Sequence, residues 1–386
     1  MFTNLHRSIT ILFLIIALHS PVFAAGESAV ITLVFPHSSR SYGMGETGTA
    51  LCDDETVVFW NPAGLALNDN TNWQGGTAHV FFEPLLPIFG IHELWHTAVS
   101  TIYQPPFGNI GGFSIDYNYI NMGVNEWTDD LGRFLGRAHS YEFVLTGGWG
   151  FNFKELGIDH HNFGFSAKYI HSALAPGLGS YGEGVGKDLA IDAGYLWEFQ
   201  PGAHFGLCMA NMGPNIFYIS QDQSDPLPFT INIALSYEHL FKAEGLKILN
   251  IATEYRLSRE IVKTYIDKRP DPFWRALYTD WDNHPMREVQ TNVGFEATVM
   301  NTGVFRQGYL FDFLGQRFES HYGLGIRILN HYIFDMSFIY APEGYMKKRT
   351  PFHSGANGAR HGQWQLSFIV EGFASGSEKD LTWWRE

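Results

Sequence analysis

The stretch DLAIDAGYLWEF, residues 188–199, alternates between two kinds of side chain along its whole length. Every second residue is apolar or aromatic, and the residues between are mostly polar or small. Because successive side chains of a strand point to opposite faces, this period of two indicates a strand between two different surroundings. The apolar set is Leu189, Ile191, Ala193, Tyr195, Trp197 and Phe199, and the other set is Asp188, Ala190, Asp192, Gly194, Leu196 and Glu198.

The same alternation recurs along the chain and predicts about fourteen strands, an even number. It is clearest in 229–237, 289–299, 322–328, 332–340 and 364–370. Weaker versions cover 77–83, 97–104, 112–120, 141–153, 162–170, 204–210, 249–255 and 305–311. On their polar face, Gly, Asn, Ser, Asp and His recur, which is typical of the occupied or wet lumen of a barrel.

The connections between these strands alternate in length. Short turns are predicted at 105–110, 200–203, 300–304 and 329–331, and long loops at 121–139, 172–187, 212–228, 257–287 and 341–362. A soluble sandwich has no reason to segregate its connections in this way, whereas an outer-membrane barrel does. We therefore expect an all-β fold, a transmembrane antiparallel β-barrel of about fourteen strands over residues 75–371, followed by a C-terminal tail at 372–386.

The N-terminus has the pattern of a cleaved secretory signal peptide over residues 1–24. His6 and Arg7 precede an apolar run at 9–18, and small residues follow the break at Ser20 and Pro21. The run is short for a spanning helix, so an uncleaved anchor is disfavoured. We expect export and location in the outer membrane.

Composition narrows the class further. The 386-residue chain is 16% aromatic and 17% charged, contains 41 glycines, and has a net charge of −14, which argues against nucleic acid as a partner. Cys52 and Cys208 could pair after export, although two cysteines in a long chain are more typical of unpaired small residues. Lumen-facing acids such as Asp188, Asp192 and Glu296 fit a polar lining better than acid–base catalysis.

The sequence HELWH, residues 92–96, matches the His-Glu-x-x-His signature of zinc proteases. That chemistry requires a helix, but Pro84, Pro87 and Gly90 precede the motif and a predicted strand follows it. An extended form of the motif continues with Gly and His where this chain has Val99 and Ile102. We predict no enzyme, no catalytic residue, no metal site and no cofactor. Adventitious metal binding by the two histidines stays open.

Residues 43–48, GMGETG, match the dinucleotide-binding pattern G-x-G-x-x-G, yet no run of βαβ units follows. Asn61 before Pro62 is a typical helix start, because the Asn side chain can cap free N–H groups. We predict that residues 25–74 form a compact plug inside the barrel; an ordered periplasmic extension is the alternative. The residues of this plug motif are Gly43, Gly45, Gly48, Asn61, Pro62 and Gly64.

Residues 40–67, RSYGMGETGTALCDDETVVFWNPAGLAL, resemble the N-terminal signature of the PorV/PorQ family, outer-membrane proteins associated with type IX secretion. The Asn-Pro-Ala-Gly element is shared with FadL-type hydrocarbon transporters. Further resemblance to PorV lies in 163–174, 188–197 and 207–238, and the whole spans about 40–340. The family has a FadL-like fourteen-stranded barrel, and one sequence does not decide between its PorV and PorQ branches.

The resemblance implies a non-enzymatic role. PorV-like proteins bind the C-terminal signal domain of secreted proteins as they leave the translocon and pass them to the surface attachment complex. Aromatic side chains in the predicted long loops are our candidate cargo contacts, and anchoring of the barrel in outer-membrane lipid is their alternative role. These residues are Trp127, Phe217, Tyr218, Trp274, Tyr278 and Trp281. The tail at 372–386 departs from many outer-membrane barrels, which end on a terminal aromatic residue.

The competing function is FadL-like transport of hydrophobic small molecules. A plug and the Asn-Pro-Ala-Gly element fit it equally well. The lumen-facing positions of 188–199 lack the apolar character that an acyl chain would require. A purely structural scaffold also stays open.

Overall fold

The computed structural model describes residues 28–67, 76–85, 94–105, 111–128, 131–154, 157–177, 184–265, 268–281, 288–313, 315, 317–329, 331–341 and 360–371. The predicted signal peptide and the C-terminal tail lie outside these ranges.

Fourteen strands close into an antiparallel barrel, in which the first strand pairs with both the second and the last. The predicted all-β barrel and its strand number are confirmed. The strands are β1 Thr77–Pro84, β2 Trp95–Tyr103, β3 Gly112–Thr128, β4 Phe134–Phe153, β5 Ile158–Ala173, β6 Val185–Gln200, β7 Ala203–Met212, β10 Thr230–Ala243, β11 Leu246–Glu260, β12 Gln290–Val299, β13 Gly303–Asp312, β14 Arg317–Ile328, β15 Tyr332–Tyr340 and β16 Trp364–Glu371. Two short strands, β8 Ile216–Phe217 and β9 Ser224–Asp225, pair with each other between β7 and β10.

The helices of the described residues are short. They are α1 Ser39–Gly43, α2 Val57–Trp60 and α3 Phe273–Thr279, with 3-10 turns at Ile31–Leu33, Pro62–Ala66 and Gln221–Gln223. None of them has the length and apolarity that a helix needs to cross a bilayer. The first two helices lie in the N-terminal segment, and α3 lies in the connection between β11 and β12.

The wall of the barrel is apolar outside and polar inside. Along β6, Leu189 is 64% exposed on the outer face, while Asp192 is fully buried on the inner face. In β15, exposed and buried residues alternate without a break from Tyr332 to Tyr340. This polarity is the inverse of that of a soluble protein and is typical of a barrel whose outer face meets lipid.

Aromatic residues on the outer face form stacks near both ends of the strands. On β4, Tyr141 stacks on Tyr119 near one end, and Trp149 stacks on Phe113 near the other. Tyr and Trp rings favour the boundary between lipid and water, so the two levels mark the two boundaries of the apolar band.

Strands β3 and β4 are longer than predicted. The predicted loop at 121–139 is wrong, because β3 continues to Thr128 and β4 begins at Phe134. Near their tips the strands carry an exposed ion pair between Glu126 and Arg137. There both faces meet water, so the apolar alternation disappears although the backbone pairing continues.

The long connections lie at one end of the barrel, which we call the loop end, together with the short β3–β4 and β13–β14 connections. At the other end, the turn end, every connection between neighbouring strands is short. Turn-end connections include 201–202, 244–245 and 300–302, whereas the loop end carries 213–229 and 261–289. Both β1 and β16 have a free end at the turn end, as an even number of strands requires.

Candidate functional site: the plug and the loop-end surface

The N-terminal segment 28–67, here called the plug, lies inside the barrel. From Ser39 onward it contacts the wall strands in descending order, from β16 to β3. Ser39 N–H donates to Ser367 on β16, Gly45 C=O accepts from Asn292 on β12, and Asn152 on β4 donates to Ala66 C=O. The plug therefore makes about one circuit of the inner wall.

Inward-facing glycines of the wall allow the plug backbone to approach closely. A Cβ at Gly164 on β5 would lie 2.2 Å from the carbonyl carbon of Pro62, and one at Gly194 on β6 would lie 2.1 Å from Asn61 Oδ1. On β13, a Cβ at Gly308 would lie 2.1 Å from Gly45 N. No side chain fits at these distances, so the glycines form the seat of the plug. Further glycines of this seat are Gly112, Gly148, Gly150, Gly206, Gly294 and Gly323.

The carboxylate of Glu254 on β11 holds one bend of the plug. It accepts the backbone N–H groups of Gly48, Thr49, Ala50 and Leu51 at 2.6–3.1 Å. Glu254 is 1% exposed. The four backbone N–H groups compensate the charge of the buried carboxylate, and the carboxylate supplies the acceptors that these N–H groups otherwise lack.

Arg40 of α1 joins the plug to the wall through ion pairs. Its guanidinium binds Glu296 of β12 through two hydrogen bonds of 3.0 Å and Asp53 of the plug at 2.7 Å. Glu296 is also bound by Arg306 of β13 at 2.6 Å, and Arg306 binds Asp335 of β15 at 2.8 Å. Buried bidentate Arg–carboxylate pairs fix geometry strongly, so this network holds α1 in one position.

A second charged cluster surrounds Glu46 of the plug. Its carboxylate contacts Arg360, which precedes β16, and Arg317 of β14 lies 3.5 Å away. Burial alone would raise the pKa of Glu46, but Arg360 and Arg317 outweigh it, so the pKa lies below its usual value. Glu46 is therefore ionised in the folded protein at neutral pH.

The predicted plug residues have distinct positions. Gly43 and Gly45 face the wall, and a Cβ on Gly45, which has φ +72°, would lie 2.7 Å from Tyr309 N. Gly48 and Gly64 pack within the plug, against the Trp60 ring and the carbonyl of Cys52. The dinucleotide-like pattern thus provides close backbone packing.

The predicted helix start at Asn61 and Pro62 is a 3-10 turn. Asn61 Oδ1 accepts the N–H of Ala63 at 3.1 Å, and its Nδ2 donates to the carbonyls of Thr49 and of Tyr195 on β6. One side chain therefore caps the turn and ties the plug to the wall. The nearby Cys52 and Cys208 are both free thiols, and burial raises the pKa of Cys52.

The zinc-protease motif is not helical in its described part. Trp95 and His96 lie in β2, while His92 and Glu93 lie outside the described residues. The His96 ring contacts Asn118 Oδ1 at 2.6 Å and Glu83 at 3.2 Å in the lumen. Among the described residues, no group of three His, Cys, Asp or Glu side chains has the arrangement of a metal site.

At the loop end, α3 presents aromatic side chains to solvent. Trp274 is 57% exposed and Tyr278 is 80% exposed, and their i,i+4 spacing places them on one face of the helix. The opposite face packs against Phe229 and Ile261 through Ala276. The helix is thus fixed on the barrel while its aromatic face stays uncovered.

The connection 213–229 lies beside this helix. Asn215 Nδ2 donates to Pro270 C=O at 3.0 Å, and Asp222 pairs with Arg269. Phe217 is 42% exposed, which adds a third uncovered aromatic ring. We call Phe217, Trp274 and Tyr278 the loop-end aromatic surface.

The other three candidate contacts differ from these. Trp281 is 47% exposed, but the Arg259 guanidinium covers one face of its ring, with the guanidinium carbon 4.2 Å from the ring centroid. Tyr218 points inward, donates to Ser172 at 3.0 Å, and has a pKa that burial raises. Trp127 is part of β3, so its predicted placement in a loop is wrong, while its role as a cargo contact stays a prediction.

Several residues of this site carried no individual prediction. Arg40, Glu254 and Arg306 are charged residues on the lumen side, and Glu254 and Arg306 occupy inward positions of β11 and β13. A charge at an inward position of such a strand is the sequence signal for a partner inside the lumen.

Solved structures resemble this barrel. The crystal structure of the Pseudomonas putida toluene transporter TodX matches with a TM-score of 0.51 and 10% identity over 91% of this chain and 99% of that chain. The fold is TodX-like. A TodX deltaS2S3 mutant monoaromatic hydrocarbon channel matches with a TM-score of 0.52 and 10% identity, over 87% and 98% of the two chains. No protein-family model and no curated protein matches significantly.

Proposed function

We propose that this protein is a PorV-like outer-membrane component of type IX secretion. In this role it binds the C-terminal signal domain of secreted cargo at its loop end and passes the cargo from the translocon to the attachment complex. It acts without catalysis and without a cofactor. The observation that carries the proposal is the loop-end aromatic surface, of which Trp274 and Tyr278 lie on a helix that is fixed to the barrel.

The arrangement of that surface suits the binding of a folded domain. Phe217, Trp274 and Tyr278 expose large rings whose supporting segments are held by packing and hydrogen bonds. Exposed aromatic residues with little conformational freedom are typical centres of protein interfaces, because few side-chain rotamers are lost on binding. A barrel that projects them from the membrane would present them to a protein emerging nearby.

The lumen also favours a role outside the barrel. Polar and charged groups hold the plug, and they include Arg40, Glu254 and Glu296. A hydrophobic solute in this part of the lumen would have to displace buried ion pairs, which is costly. Cargo binding at the loop end requires no such displacement.

The test is a binding measurement with full-length protein in detergent and the purified C-terminal domain of a secreted protein from the same source. The double variant Trp274→Ala and Tyr278→Ala should weaken binding at least tenfold, as loss of interface aromatic anchors does. Trp197→Ala is the matched control, because it removes an exposed aromatic residue from the lipid-facing wall. Equal affinity in the double variant and the wild type would exclude this surface as the cargo site.

The alternative function is transport of hydrophobic small molecules across the outer membrane. The TodX-like fold supports it, because TodX is a toluene transporter. An apolar cluster that includes Val30, Leu33, Val144 and Ile170 lies where the plug begins. Uptake of radiolabelled toluene by cells or liposomes that contain the protein, compared with empty ones, would support this alternative, and recovery of secreted proteins in a pull-down without any uptake would exclude it.

A further inference from the structure

A polar cavity of about 250 Å³ lies at the turn end, between the plug and the wall. Its lining includes Glu238 of β10, Lys247 and Asn250 of β11, and Arg327 of β14. These residues lie within a few positions of the turns at 244–245 and 329–331. The cavity is therefore on the opposite side of the molecule from the loop-end aromatic surface.

One side of this cavity is electrostatically satisfied. Arg40 and Glu296 bind each other there, and Asp53 also binds Arg40. The network needs no further ligand.

The other side carries two cations, Lys247 and Arg327; Arg327 lies close enough to Glu296 to act on it electrostatically, without a direct contact. Among the described residues, neither Lys247 nor Arg327 has a side-chain hydrogen bond or an ion pair. The Nε of Arg327 is shielded from solvent and has no acceptor. Two cations without a hydrogen-bond acceptor in one cavity favour an anionic group between them, because a shielded donor without an acceptor costs free energy.

An acceptor site lies in the same cavity. Glu238 accepts one hydrogen bond from Asn250 Nδ2 at 2.6 Å, which leaves most of its lone pairs free. Asn250 Oδ1 is shielded from solvent and has no donor. A ligand that fits both halves therefore carries an anionic group and also a cationic N–H donor.

We propose that this cavity binds a small zwitterion in which a carboxylate or phosphate lies a few bonds from a primary ammonium. Lys247 and Arg327 bind the anionic group, and Glu238 with Asn250 Oδ1 accepts hydrogen bonds from the ammonium. The cavity of about 250 Å³ is large enough for a ligand of several non-hydrogen atoms, because about 15 Å³ of such space already holds one water molecule. Two sources have this chemistry, a phosphoethanolamine lipid headgroup and a free amino acid.

The test is isothermal titration calorimetry on the full chain in a non-ionic detergent. The probes are soluble phosphoethanolamine, L-alanine and inorganic phosphate. We expect saturable binding of at least one zwitterion and weaker binding of phosphate. Binding of phosphoethanolamine alone identifies the lipid headgroup as the source, and binding of alanine alone identifies the free amino acid. Absence of binding of either zwitterion through the millimolar range, or phosphate binding as tight as that of either zwitterion, overturns the proposal.

Variants assign the binding to this cavity. Lys247→Gln and Arg327→Gln should each weaken zwitterion binding about tenfold, the loss expected for one charge-assisted contact. Glu238→Gln should weaken it while leaving phosphate binding unchanged. Arg137→Gln is the control, because it removes a cation from an exposed pair at the loop end. Heat-modifiable migration in gels checks that each variant is folded, and unchanged zwitterion binding in folded Arg327→Gln protein overturns the assignment.

Discussion

Residues 37–46 of the plug contact the wall through charged and polar side chains as well as through close backbone packing at Gly43 and Gly45, whereas residues 48–66 contact it mainly through their backbone. In the first part, Arg40 and Glu46 pair with charged residues of the wall. In the second, the chain lies against glycines such as Gly164 and Gly194. Both parts need wall glycines, but only the first also depends on charged pairs with the wall, so loss of a charge and loss of a glycine should affect the two parts differently.

The largest effect is expected from Arg40→Met in the charged part. The change leaves Glu296 with Arg306 as its remaining partner and Asp53 without Arg40, so we expect a loss near the lower end of the about 3–5 kcal/mol that breaking a buried pair typically costs. Urea unfolding in detergent, followed by tryptophan fluorescence, measures this loss. Arg137→Met is the control, because its exposed pair with Glu126 should contribute less than about 1 kcal/mol. Similar losses in both variants would mean that the Arg40 network adds no particular stability.

Glu254→Gln tests the one carboxylate that supports the backbone part. The neutral amide turns a donor toward N–H groups that need an acceptor, so we expect a loss of about 2–3 kcal/mol. Hydrogen exchange should increase at residues 48–51, whose N–H groups bind this carboxylate. Exchange that stays as slow as in the wild type would contradict this role of Glu254.

Gly164→Ala tests the seat. The added methyl group would lie 2.2 Å from the backbone of Pro62, and such overpacking typically costs about 1–3 kcal/mol. Gly147→Ala on the neighbouring strand is the matched control, because no atom lies within 4 Å of its added Cβ. Protease cleavage within residues 58–67 should increase only in the first variant; equal cleavage in both would show that close contact at Gly164 is not required.

Low pH should produce the smallest difference in stability between the two parts of the plug. The pKa of Glu46 is lowered in the folded protein, so its stabilisation is present above the usual value of 4.5 and is lost as pH falls through the folded pKa. Protection from hydrogen exchange, taken relative to the intrinsic rate at each pH, should therefore fall near residues 41–46 below about pH 4.5 before it falls at residues 58–66. Glu46→Gln should remove this pH dependence, and its persistence in that variant would assign the effect to another group.

The sequence predicts the strands of the wall well, because apolar and polar residues alternate where the two faces of a strand meet lipid and lumen. Leu189 and Asp192 occupy the faces that their polarity predicts. This alternation does not predict the strands near Glu126 and Arg137, because β3 and β4 continue there beyond the lipid and both of their faces meet water.

The sequence predicts that a plug exists, but it does not predict the course of the plug along the inner wall. The glycines at 43–48 and the Asn61–Pro62 pair mark it locally, but its course depends on pairs such as Arg40 with Glu296, which are 256 residues apart. No local pattern encodes such a partner. The candidate loop contacts show the same limit, because only the fold separates the exposed Tyr278 from the inward Tyr218.

The circuit of the plug around the lumen has a consequence for the order of assembly. Ser39, near the beginning of the chain, donates to Ser367 on the last strand, 328 residues later. Contacts of such high sequence separation form late, because the intervening chain must first be ordered. The plug precedes the wall strands in the chain, but its contact at Ser39 can form only after β16 has closed the barrel, so full seating of the plug requires a closed barrel.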